Sequence, residues 1–140
     1  MIDAMFLQVE FGDSRELVKN GKIQVRDLAL EHPQGICYLS HPYGGLKDNV
    51  TRCGIFANEV QKVLGQSATI VSPIHNFSWL SYREETNKQG YWEDMVHCIR
   101  LLSMSDFMVL GEGWEESLGC CVEYVYALTH QIPVYTFSLK

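Results

Sequence analysis

Residues able to do chemistry concentrate in one stretch of the 140-residue chain, Gly111-Glu112-Gly113-Trp114-Glu115-Glu116-Ser117-Leu118-Gly119-Cys120-Cys121-Val122-Glu123. An apolar run ends at Leu110, a glycine-rich turn follows, and helical periodicity begins near Ser117, a favourable N-cap. Amides in a first helical turn lack intrahelical partners. With the Ser117 hydroxyl they make a donor pocket for an anion or a hydroxyl group. Gly119 removes side-chain bulk from that turn, and Glu123, four residues later, shares its helix face. A carboxylate so placed could reach a ligand in the pocket. The competing reading is a solvated helix glutamate. As the active carboxylate, Glu123 is expected near a helix start rather than in the core, so that its replacement by alanine abolishes cleavage and leaves the fold intact.

A second loop, Tyr38-Leu39-Ser40-His41-Pro42-Tyr43-Gly44-Gly45, directly follows another apolar run. Its two glycines let backbone approach a ligand closely, although strand–glycine–helix turns also arise for purely geometric reasons. The stretch 73–90 has no clear periodicity and is long for a compact domain, which suggests a lid or a mobile loop. Within it, His75, Phe77, Trp79 and Tyr82 could stack on a base, or simply cover a sheet edge or a subunit contact. The five cysteines, Cys37, Cys53, Cys98, Cys120 and Cys121, form no C-x-x-C pair and read as small buried hydrophobes of a reducing compartment. His75, His97 and His130 show no ligand spacing either, so no metal site and no cofactor are expected.

These loops need elements to position them. Four short apolar runs, 36–40, 68–72, 106–110 and 133–137, read as strands buried on both faces, because they do not alternate polar with apolar residues. Three apolar stripes at helical spacing lie between or after them: Cys53, Phe56, Ala57, Val60, Val63 and Leu64; Trp92, Met95, Val96, Ile99 and Leu102; and Leu118, Cys121, Val122, Val125 and Leu128. Gly65 stops the first stripe. Strands alternating with helices predict right-handed βαβ units and an open parallel α/β sheet of four to five strands with helices on both faces. Such a sheet binds ligands beyond the carboxyl ends of its strands, which is where both loops fall. Residues 1–34 read as an N-terminal extension of uncertain structure, and 35–140 as the α/β domain. In the extension, Asp13 and Glu16 suggest a capping box, Phe6–Phe11 suggests an extra edge strand, and Val25–Leu30 extends or follows a helix.

At 16.0 kDa the chain has one domain's worth of polypeptide. Its 46% hydrophobic and 20% charged residues exclude a disordered chain. A net charge of −6 argues against a nucleic-acid groove, and no apolar run reaches the ~18 residues of a membrane span. The start Met1-Ile2-Asp3-Ala4 lacks the basic region of a secretory signal, so a cytoplasmic location is expected.

The arrangement Tyr38-Leu39-Ser40, Pro42, Gly44, then Ser105-Asp106, then Gly113-Trp114-Glu115-Glu116-Ser117-Leu118-Gly119 and Glu123 resembles the nucleoside 2-deoxyribosyltransferase-like superfamily. It is closest to a small branch with a GW-x-x-S-x-G-x-x-x-E motif, related to deoxynucleoside 5′-monophosphate N-glycosidases. The resemblance implies a flavodoxin-like domain whose nucleophile, Glu123, attacks C1′ of a nucleoside or nucleotide. A carboxylate can trap an oxocarbenium-like centre and release it to water or to a second base. It also implies ligand contacts from Tyr38, Ser40, His41, Tyr43, Gly44, Gly45, Trp114, Ser117 and Gly119, and a homodimer or higher homo-oligomer. Serine six positions before the nucleophile is the hydrolase pattern that tolerates a 5′-phosphate, where free-nucleoside transferases often carry aspartate. Lys47, Arg52 and Arg83 are candidate cations for that phosphate. Two positions depart from the pattern: Pro42 and Tyr43 stand where the hydrolases hold phosphate with serine and arginine, and Cys98 replaces an acid eight residues before Asp106. Asp94, one helical turn earlier, is the nearest upstream substitute acid. Asp106 itself reads as structural. The departures leave open a rewired site or a non-catalytic nucleotide-binding module.

Overall fold

Parallel pairing dominates the architecture. The computed structural model describes residues 2–43, 47–76 and 88–138. Strands β1 (Arg26–Asp27), β2 (Gly35–Ser40), β3 (Ala68–Val71), β4 (Phe107–Leu110) and β5 (Val134–Thr136) form one sheet in the order β1-β5-β4-β2-β3. Every neighbouring pair is parallel. This is a flavodoxin-like open α/β sheet, with the strand beyond β5 supplied by the N-terminal segment rather than by a later part of the chain.

Side-chain alternation along the strands splits the core in two. Cys37, Leu39, Phe107 and Val109 face α3 (Lys47–Leu64), whose Cys53, Phe56, Val60 and Leu64 form the matching stripe. Tyr38, Met108 and Leu110 face the opposite layer, built from α5 (Lys88–Ser103) and α6 (Leu118–Thr129). Trp92, Met95, Val96, Ile99 and Leu102 line α5 on that side. A short turn, α4 (Pro73–Asn76), follows β3.

The N-terminal segment joins the second layer. Helix α1 (Ala4–Phe11) is capped by Asp3, whose carboxylate accepts from Phe6 N at 2.8 Å, and it buries Leu7 and Phe11 in the same cluster as α5. Phe6–Phe11 is therefore helical and not an edge strand. Leu7, Val9 and Phe11 alternate with Gln8 and Glu10, which gives this short helix the period of a strand. Helix α2 (Ser14–Asn20) begins after Asp13, but no capping box forms; buried Ser14 instead donates to Phe11 O at 2.6 Å and ties the two helices together. Val25–Leu30 contains β1 and then a single 3-10 turn, Leu28–Leu30.

At the amino ends of the strands, Asp106 lies just outside β4 and clasps β2. Its carboxylate accepts from Ile36 N at 2.6 Å, and its amide donates to Ile36 O at 2.9 Å. Gly35, at φ 104°, leaves room for that carboxylate, which a Cβ would strike. Pro133 falls outside β5 because it has no N–H to donate, although its carbonyl accepts from Met108 N at 2.9 Å.

Candidate functional site

From β2 the chain crosses to β3 on one side, then returns to β4 on the other. The loops after Ser40 and Leu110 diverge across this reversal, where an open α/β sheet forms its crevice. Gly111 N donates to Ser40 O at 2.7 Å and holds the two loop bases together. His41 lies against Gly111, where any β-carbon would strike its ring, and its Nδ1 sits 2.8 Å from Pro42 O. Burial chiefly lowers the His41 pKa, and the ring packs on Phe56 at 5.9 Å. Tyr43 lies at the loop end, its carbonyl accepting from Asn49 at 2.9 Å.

Glu123 stands at the centre of this edge. It lies in the second turn of α6 and is only 6% exposed, which removes the solvated alternative and places it in the core rather than outside it. Tyr38 and Ser40, two residues apart on β2, present their hydroxyls from the same sheet face. The Tyr38 hydroxyl donates to Glu123 Oε2, and the Ser40 hydroxyl donates to Oε1 at 2.8 Å. The two ion pairs among the described residues, Arg26–Glu31 and Lys62–Glu59, lie elsewhere. Burial pushes the Glu123 carboxyl up to about 7, against the opposing pull of its two hydroxyl donors.

Helix α5 closes the site from the other side. Cys98 stands beside Tyr38 and Glu123, and burial followed by the Glu123 charge pushes its thiol well up. Asp94 contributes in the same direction from one turn earlier. Tyr91, seven residues before Cys98 and so on the same helical face, reaches the first turn of α6. Its phenol is raised by burial and then by Glu123. Cys120 adjoins Ser40, Ser117 and Glu123, and is pushed up to about 12, mainly by burial.

Ser117 is the N-cap of α6: its extended backbone lets the side chain accept from Cys120 N at 3.3 Å. Gly113, at φ 79°, opens the 3-10 turn Trp114–Glu116 ahead of it. Trp114, expected at the ligand, is buried in the core with its ring 4.8 Å from that of Tyr124. There it anchors the turn that presents Ser117.

The structure thus brings together Tyr38, Ser40 and Glu123, with Ser117 and Gly119 on the adjoining turn and Asp94 on the facing helix. Gly44, Gly45, Phe77, Trp79, Tyr82 and Arg83 lie outside the described residues. His75 sits apart from Glu123 on α4, its Nδ1 2.9 Å from Ser72 Oγ. Sequence reading missed Tyr91 and Cys120. The seven-residue interval from Tyr91 to Cys98 was the available signal for the first. Among the described residues no group of three His, Cys, Asp or Glu is placed to hold a metal ion, and no helix is long and apolar enough to cross a membrane.

A flavodoxin-like parallel α/β domain with a buried carboxylate at its switch point defines the class. Residues 36–136 match the family described as Domain of unknown function (DUF4406), and the chain belongs to that family. No curated protein and no solved structure matches the chain.

Proposed function

We propose that the protein binds a (deoxy)nucleoside 5′-monophosphate or nucleoside and cleaves its N-glycosidic bond, as an N-glycosidase or deoxyribosyltransferase-like enzyme. The observation that carries this reading is a buried glutamate held by two hydroxyl donors at the carboxyl edge of a parallel sheet. The ionised carboxylate attacks C1′ while the C–N bond breaks, and the base departs with the bonding electrons. Asp94 is the candidate acid that protonates it. The resulting glycosyl ester is then opened by water, or by a second base in a transfer. Tyr38 and Ser40 fix the carboxylate rotamer before attack. Ser117 and the first-turn amides of α6 take the 5′ group. Exposed Met5 and Val9 on α1 suit a contact in a homo-oligomer, which light scattering checks.

Cys98 favours a second reading, in which the same pocket binds a nucleotide without turnover, since a thiol stands beside Glu123 where the related enzymes carry an acid. Incubation with the deoxynucleoside 5′-monophosphates and their nucleosides separates the two. Release of free base, abolished by Glu123→Gln, is the result expected. Saturable binding without free base favours the binding module.

A further inference from the structure

The first turn of α6 carries no side chain at Gly119, and two hydroxyls border that position. A β-carbon built on Gly119 would lie 3.2 Å from Tyr91 Oη and 4.0 Å from Ser117 Oγ. The Ser117 oxygen already accepts from Cys120 N, so its proton is free to point outward. None of the bonds joining Tyr38, Ser40, Ser117 and Glu123 uses the Tyr91 hydroxyl. The Tyr91 ring is braced edge-on against Trp92 at 5.5 Å, and Trp92 is in the core. The phenol of this half-buried side chain is thus directed at the α6 turn. A larger residue at 119 would push it away.

The geometry points to Tyr91 as the second hydroxyl donor to the ligand's 5′-phosphate, paired with Ser117 across Gly119, and hence as a residue that sets preference for monophosphate over nucleoside. This rests on the nucleotide-site reading above. A phenol held protonated donates to a phosphate oxygen without adding charge, and charge-assisted hydrogen bonds are stronger than neutral ones. The parent nucleoside offers only a neutral 5′-hydroxyl to the same donors, so it gains less. Gly119 lets Tyr91 come this close: a β-carbon there would make the phenol give way by a few tenths of an ångström.

The test is calorimetric binding of the four deoxynucleoside 5′-monophosphates and the four parent nucleosides to the full chain, alongside base release. Tyr91→Phe keeps the ring and removes the donor. It should weaken binding of the best monophosphate about tenfold and that of its nucleoside less than twofold. Gly119→Ala, which displaces the phenol, should lower the same ratio. Where base is released, the loss should fall on KM and leave kcat within about twofold. Equal responses of the two ligands to Tyr91→Phe overturn the assignment and leave Tyr91 a packing residue, as does an unchanged ratio. Selective binding lost in Tyr91→Phe, with no base released by the wild type, upholds Tyr91 and refutes the glycosidase reading. No binding of any of the eight ligands by the wild type refutes both.

Discussion

Replacing Glu123 by glutamine keeps the side chain's shape and removes its charge. The amide can still accept from one of the Tyr38 and Ser40 hydroxyls and donate to the other, so the site stays hydrogen-bonded. Burial lifts the wild-type carboxyl from its ordinary value of 4.5 to about 7. Between those values the folded protein holds a proton that the unfolded chain has released. The stability tied to that proton is fully present below about pH 4.5, and it is lost as the pH rises through about 7. A gap of that width corresponds to about 3 kcal/mol. Glutamine has no such titration. Urea unfolding of both proteins from pH 4.5 to 8 should therefore show the wild type losing about 3 kcal/mol relative to Glu123→Gln, mostly between pH 5 and 7. Taking the difference between the two proteins cancels the other titrating groups they share. Parallel stability profiles across this range would refute the claim that burial dominates the Glu123 environment.

Tyr38→Phe removes one donor from the buried carboxylate. A hydrogen bond to a charged group is worth ~1.5–3 kcal/mol, so the Glu123 midpoint should climb by about one to two pH units, read by carbon NMR of the labelled carboxyl. An unmoved midpoint would mean that the Tyr38 hydroxyl does not hold the carboxylate in solution. Ser117→Asp retains a good N-cap but brings a negative charge to the first turn of α6; it should weaken monophosphate binding far more than nucleoside binding, and equal weakening counts against a phosphate there. Trp114→Ala empties a buried site against Tyr124 and should cost about 3–5 kcal/mol in urea unfolding, whereas a loss below about 1 kcal/mol would show that the turn does not depend on this anchor.

Strands β2 to β5 were legible in the sequence as apolar runs rich in Ile, Val, Tyr and Phe, but β3 is an edge strand with Thr69 exposed and is not buried on both faces as its run suggested. The helical stripes of α3 and α5 were legible for the complementary reason, since each buries one face and exposes another, whereas α6 is buried or half-buried all round from Leu118 to Leu128. Residues 4–30 resisted. In helix α1, Leu7, Val9 and Phe11 alternate with Gln8 and Glu10, so the pattern has a strand's period; Asp3 supplied the deciding cap. Strand β1 has only two residues, both exposed, and its place beside β5 is set by tertiary pairing rather than by any hydrophobic pattern. At the site, the Ser117–Gly119–Glu123 spacing identified the turn and the carboxylate. The depth of Glu123 depended on Tyr38 and Ser40, whose sequence separation from it spans most of the domain.

Glu123 also bears on the choice between turnover and simple binding. A module that only recognises a sugar needs acceptors and donors at this edge, and glutamine supplies both without a charge to desolvate. A glutamate in the same place lowers stability by about 3 kcal/mol once the pH passes 7, and the two hydroxyl donors offset burial only in part. What the carboxylate adds over the amide is nucleophilicity, together with a protonation state balanced near neutrality. Only the ionised form could attack C1′, and burial reduces its share near neutrality; that same form also accepts charge-assisted hydrogen bonds from sugar hydroxyls. Under the cleavage proposed above, Cys98 stands where an acid would protonate the leaving base, while Glu123 keeps the carboxylate that would attack. Base release by the wild type measured against Glu123→Gln is therefore the comparison that decides between turnover and binding at this buried carboxylate.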